Sequence, residues 1–208
     1  ARGLRPEAGR EQLVEFFDRE LYQVFRAHEQ TDHIDPCSNQ LLLDRLHLLF
    51  ERPIDQALVD RVLAHIDTMT YIIIDARAIE IVAALKQRGL YLALVSNMML
   101  PGALLQAKLR DAGMLAFFDD LIVSSDAGFI KPHPEIFRRA LRVSGLAASE
   151  VAFVGDTYEQ DIVGAKRAGM RTIWLNCRQE AQIVDNNAAD NEIETLAELP
   201  PLMWQLCR

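Results

Sequence analysis

Apolar residues along the first third of the chain recur at three- and four-residue spacing. Over residues 7–29, Leu13, Phe16, Phe17, Leu21, Val24 and Phe25 mark one face of an amphipathic helix. After a breaker-rich stretch at 31–39, Leu41, Leu42, Leu46, Leu49 and Phe50 repeat the pattern, and Leu58, Val59, Val62, Leu63 and Ile66 do so again beyond Pro53. Residues 1–70 are therefore expected to be helical. From Tyr71 the texture changes to short β-branched runs alternating with helical patterns, the signature of βαβ units around a parallel sheet.

The spacing predicts a helix over 77–87 closed by Gly89, a strand over 91–95 and a helix over 101–112. A strand over 121–123, a helix over 134–144, a strand over 151–154, a helix over 160–168 and a strand over 172–175 follow. A closing helix is expected over 195–206. The fold class is thus α/β, with a doubly wound parallel sheet from residue 71 to 208 and a helical region before it.

In such a sheet, ligands gather at the carboxyl ends of the strands. The first strand ends in Ser96-Asn97, a hydroxyl and an amide able to donate to an oxyanion. Taken singly, this is also a common turn and helix-start sequence. Lys131 lies in Gly128-Phe129-Ile130-Lys131-Pro132-His133-Pro134, where two prolines restrict the backbone beside a compact positive charge suited to a phosphoryl group. A solvated loop lysine is the alternative. The third strand runs directly into Gly155-Asp156, with Asp161 five residues further on. Asp156 is well placed as the main ligand of a hard cation such as Mg²⁺, with Asp161 in support, although Asp161 also suits a helix cap or the helix dipole.

The order of these segments resembles the haloacid-dehalogenase-like hydrolase superfamily. Leu94-Val95-Ser96-Asn97 is similar to its second motif, Lys131-Pro132 to its third, and Val154-Gly155-Asp156 with Asp161 to its fourth. The resemblance spans about 77–176, and residues 131–137 and 172–176 look most like the pyrimidine 5′-nucleotidase and acylneuraminate-9-phosphate phosphatase branch. It implies a Rossmann-like core, with residues 1–70 as an α-helical cap domain. It further implies a Mg²⁺-dependent phosphatase of small phosphorylated metabolites working through an aspartyl-phosphate. Ser96, Asn97 and Lys131 would bind phosphate, Asp156 and Asp161 the metal, and Lys131 and Asp156 would be catalytic.

That reaction starts with an Asp-x-Asp pattern at the end of a central strand, and none is found here. Asp18-Arg19-Glu20 sits in helical spacing. Tyr71-Ile72-Ile73-Ile74-Asp75 is a better strand ending in aspartate, but Arg77 stands where the second aspartate belongs, and the segment also fits a hinge out of the cap. In the family the missing strand lies between those matching 91–95 and 151–154, so its loss would orphan backbone groups in mid-sheet. The expectation is that the natural protein has about ten to twenty residues before Ala1 carrying that strand and its nucleophile. The alternative is a pseudoenzyme that keeps the fold as a binding or regulatory module. A metal-independent dehalogenase fits the Gly155-Asp156 segment less well.

Composition adds exclusions. A net charge of −8 without a Lys/Arg run argues against a nucleic-acid surface. No apolar stretch approaches the ~20 residues of a membrane-spanning helix. Cys37, Cys177 and Cys207 are odd in number and lack metal-ligand spacing, which fits a reducing cytoplasm better than a disulfide framework.

Overall fold

The computed structural model of the chain describes residues 76–98, 101–177 and 187–207. The expected cap over 1–70, the 71–75 segment with Asp75, and Cys37 lie outside the described residues. Those described form α1 (Ala76–Gln87), β1 (Ala93–Ser96), α2 (Gly102–Asp111), β2 (Asp120–Val123), α3 (Ser124–Ala127) and α4 (Pro134–Ser144). They continue with β3 (Ala152–Gly155), a π-type helical segment over Tyr158–Val163 running into α5 (Gly164–Arg167), β4 (Arg171–Leu175), β5 (Asn191–Ile193) and α6 (Leu199–Leu206).

All strand pairings are parallel. β1 pairs with β2, Ala93 opposite Asp120 and Ser96 opposite Val123. β3 pairs with β4, and β4 with β5. The described strands therefore form two half-sheets, and among the described residues β1 and β3 are not hydrogen-bonded to each other.

Helices on both faces couple the halves. Alternation of side chains along a strand sends Val95 of β1 and Phe153 of β3 to the same face. There both pack on the cluster formed by Ile136, Phe137 and Ala140 of α4 with Ile122, Ala165 and Met170. Phe137 is fully buried and meets Phe153 edge-on at 5.2 Å between centroids. Leu94 and Val154 point to the opposite face, toward α1. Ala78, Ile79 and Val82 of α1 pack with Leu94, Val123 and Leu105, while its Ile81 and Leu85 pack with Val154, Ile173 and α6. Two helices thus span both half-sheets, one on each side, as a doubly wound α/β fold requires.

Local sequence explains the limits of the main helices. Pro134 occupies the first turn of α4, where its missing N–H is harmless, and His133 Nδ1 accepts the Glu135 N–H at 3.2 Å as the N-cap. Gly89 closes α1 with φ 78°, a conformation glycine reaches without a Cβ penalty.

Three expectations need correction. The tail holds a strand, β5, where none was expected, and the closing helix starts at Leu199 after a tight turn at Leu196–Glu198. Residues 124–127, unassigned in the sequence, form the short α3. The helix expected over 160–168 begins at Tyr158 and opens with a π-type segment over Tyr158–Val163, with the Asp161 N–H donating to the Thr157 carbonyl at 2.8 Å at its start. No described helix is long and apolar enough to cross a membrane. Cys177 and Cys207 are both exposed and unbonded.

Candidate functional site

The loops that matter leave the carboxyl ends of β1 and β3 on the same edge of the fold. At the end of β3, Gly155 lets the chain turn beneath the helix that follows. A Cβ there would lie 2.3 Å from the Asp161 Cβ, far inside contact distance, so only glycine allows Asp161 to sit on the strand end. Asp156 comes next and is exposed. Its carbonyl accepts from the indole Nε1 of the fully buried Trp174 at 3.2 Å, and Tyr158 packs edge-on against the same indole, so the turn is pinned to β4.

Asp161 is buried, and both its oxygens are engaged. Oδ2 accepts the Thr157 N–H at 3.0 Å. Oδ1 meets the Lys131 ammonium at 2.7 Å, in an ion pair whose side chains are 12% (Lys131) and 5% (Asp161) exposed. Lys131 Nζ also donates to the Val95 carbonyl of β1 at 3.1 Å. The lysine thus joins an element of one half-sheet to an element of the other. The two-proline turn that presents it carries a cis Lys131–Pro132 bond. Pro132 and Phe137 lie against Gly164, where a Cβ would come 2.7 Å from the Phe137 ring and 3.0 Å from Pro132.

On the β1 side, Ser96 is half-buried, and its hydroxyl makes a long contact of 3.5 Å to the Asn97 carbonyl. The Asn97 side chain faces the Lys131 main chain and Gln160 rather than the open edge. Ser124, buried at the end of β2, holds the following residue, accepting the Met98 N–H at 2.9 Å and donating to its carbonyl at 3.2 Å.

Ser96, Asn97, Lys131, Asp156 and Asp161 are thus brought to neighbouring strand ends. Direct contacts link Asn97 to Lys131 and Lys131 to Asp161. Sequence reasoning missed Thr157, Gln160 and Ser124, whose roles rest on the wide helical turn and on α3. Neither leaves a mark in hydrophobic spacing. The described residues contain no group of three or more His, Cys, Asp or Glu side chains around a common cation position. Their donor set of Asp156 and Asp161 matches the one or two carboxylates that Mg²⁺ takes from a protein, the rest of its shell coming from water and substrate oxygens.

The chain is similar to known proteins over part of its length. Over 94 residues the chain is 39% identical to a phosphoserine phosphatase of Thermus thermophilus, covering 45% of this chain and 37% of that protein. Over 102 residues it is 38% identical to the pyrimidine 5′-nucleotidase YjjG of Escherichia coli, covering 49% and 45%. The matched stretch spans less than half the length of these curated relatives. A crystal structure of a HAD phosphatase from Thermococcus onnurineus superposes with a TM-score of 0.63 at 25% identity, covering 93% of this chain and 91% of that one. The profile of the haloacid dehalogenase-like hydrolases matches residues 6–169, reaching well into the N-terminal segment beyond the motifs themselves. With its strand-end serine, lysine and aspartates in that family's order, the chain belongs to the haloacid dehalogenase-like hydrolases.

Proposed function

We propose that the site is that of a Mg²⁺-dependent phosphohydrolase acting on small phosphorylated metabolites. The observation that carries this reading is Lys131, a largely buried ammonium held between the Val95 carbonyl and the Asp161 carboxylate at the strand ends. A buried lysine fixed at this edge is suited to neutralising a phosphoryl oxygen as a point charge. Ser96 adds a hydroxyl donor from the end of β1. The names of the relatives, a phosphoserine phosphatase and a pyrimidine 5′-nucleotidase among them, support a phosphate monoester as substrate.

The charge balance supports a metal. One lysine against the carboxylates of Asp156 and Asp161 leaves the site negative, and such a site would repel a phosphate dianion. A divalent cation held by Asp156 and Asp161 would reverse that sign and neutralise charge on the phosphoryl oxygens. The residues of this chain would then orient the phosphoryl group, with Lys131 and Ser96 on its oxygens. The attacking carboxylate of an aspartyl-phosphate mechanism lies outside the residues placed here.

The test is phosphate release from a panel of small phosphate monoesters in Mg²⁺. Release that stops with EDTA and in Asp156→Asn supports the reading. Release that persists without divalent cation, or that is unchanged in Lys131→Ala, would overturn it.

A further inference from the structure

Asn97 follows β1 directly, a place from which the sequence suggested a donor to a bound oxyanion. Its side chain does something else. Asn97 Oδ1 accepts the Lys131 backbone N–H at 2.7 Å, and Nδ2 donates to the Lys131 carbonyl at 3.1 Å. Nδ2 also donates to Gln160 Oε1 at 3.3 Å. Both amide hydrogens are therefore engaged, leaving none for a ligand unless one of these bonds is broken.

A primary amide facing the N–H and C=O of one residue with both its own groups fixes that residue in position and in rotation, which a single hydrogen bond does not. The residue so held is the one whose flexible side chain must bring Nζ to Val95 on one side and Asp161 on the other. The third contact goes to Gln160, the residue before Asp161 in sequence. One amide thus ties the lysine backbone to the segment that carries its counter-ion.

We propose that Asn97 is a positioning residue for Lys131, acting on bound phosphate through the lysine rather than by donating to the ligand itself. What Lys131 binds rests on the function proposed above, whereas the clamp does not.

The experiment uses the 208-residue chain and two readouts. The first is the acetylation rate of Lys131 by a small amine-reactive reagent, measured by peptide mass spectrometry against the surface residue Lys166 in the same digest. In Asn97→Ala the Lys131/Lys166 ratio is expected to rise about fivefold, the scale of losing one net hydrogen bond's worth of protection. Asn97→Asp keeps an acceptor for the Lys131 N–H but turns an oxygen toward the Lys131 carbonyl and Gln160 Oε1. It should raise the ratio too, and it serves if the alanine variant does not fold.

The second readout is calorimetric binding of inorganic phosphate in Mg²⁺, in a cycle of Asn97→Ala and Lys131→Ala. Asn97→Ala should weaken binding about five- to tenfold with Lys131 present and less than about twofold in its absence. Equal weakening on both backgrounds would make Asn97 a direct ligand and overturn the proposal, as would an unchanged acetylation ratio. If the unmodified chain binds no phosphate, the functional reading fails, and the acetylation ratio alone decides the clamp.

Discussion

Replacing Asp161 by asparagine keeps the shape of the side chain and removes the charge that Lys131 faces at 2.7 Å. With the amide oxygen turned to the Thr157 N–H, the NH₂ group meets the lysine ammonium. With the amide flipped, the Thr157 N–H loses its acceptor. Either way one partly buried polar group goes unpaired. At an effective dielectric near 20, two unit charges at this separation attract by about 6 kcal/mol before desolvation is subtracted. Removing one member of a fully buried pair usually costs about 3 to 5 kcal/mol. Here the lysine keeps 12% exposure and the Val95 carbonyl, so the lower end applies, at about 3 kcal/mol. For a chain of this size that is a fall in Tm of roughly 6 to 12 °C. Urea unfolding followed by circular dichroism measures it directly. Lys131→Met and the double variant complete a cycle whose coupling should exceed about 1 kcal/mol. An Asp161→Asn variant within about 0.5 kcal/mol of the parent, with no measurable coupling, would refute the claim that this pair joins the two half-sheets.

Three further outcomes are expected. Gly155→Ala places a Cβ 2.3 Å from that of Asp161 and should cost about 1 to 3 kcal/mol in urea unfolding while raising the acetylation rate of Lys131, since Asp161 must move. Phe137→Ala removes a fully buried ring from the face where α4 spans both half-sheets, and a urea midpoint shift equivalent to about 3 to 5 kcal/mol is expected. The Asp190 carboxyl is held below the usual carboxylate range, first by its hydrogen bond from Lys166 and then by those from Thr172. A lowered folded value means the stabilisation is present above the ordinary carboxylate pKa and is lost as pH falls through the folded one. The Tm gap between the parent and Asp190→Asn should therefore be widest near neutrality and close in acid, and a gap that widened in acid would contradict the assignment.

The sequence was most informative where periodicity and burial coincide. The 134–144 helix was legible because Ile136, Phe137 and Ala140 repeat on one face and Pro134 marks its start. The strand ends were legible because apolar runs stop abruptly at Ser96 and Gly155. β5 was not, since three residues, Asn191–Ile193, are too few to show alternation, and their place depends on Asp190 docking onto Thr172. The π-type segment at Tyr158–Val163 was equally invisible, because hydrophobic spacing does not distinguish it from an ordinary α-helical turn. For the site, residue type and order identified Ser96, Lys131, Asp156 and Asp161 as candidates. Sequence gave no indication that Lys131 and Asp161 pair with each other, or that the Asn97 amide turns inward to the lysine backbone. Both depend on long-range geometry across the two half-sheets.

The central claim is that Lys131 and the two aspartates form one site for phosphate together with a divalent cation. Isothermal titration of the chain with inorganic phosphate, with and without Mg²⁺, tests it most directly. The account predicts binding that requires Mg²⁺ and weakens at least about tenfold in both Lys131→Ala and Asp156→Asn, the scale of losing one charge-assisted contact. Phosphate binding that is indifferent to Mg²⁺ and to both substitutions would contradict it.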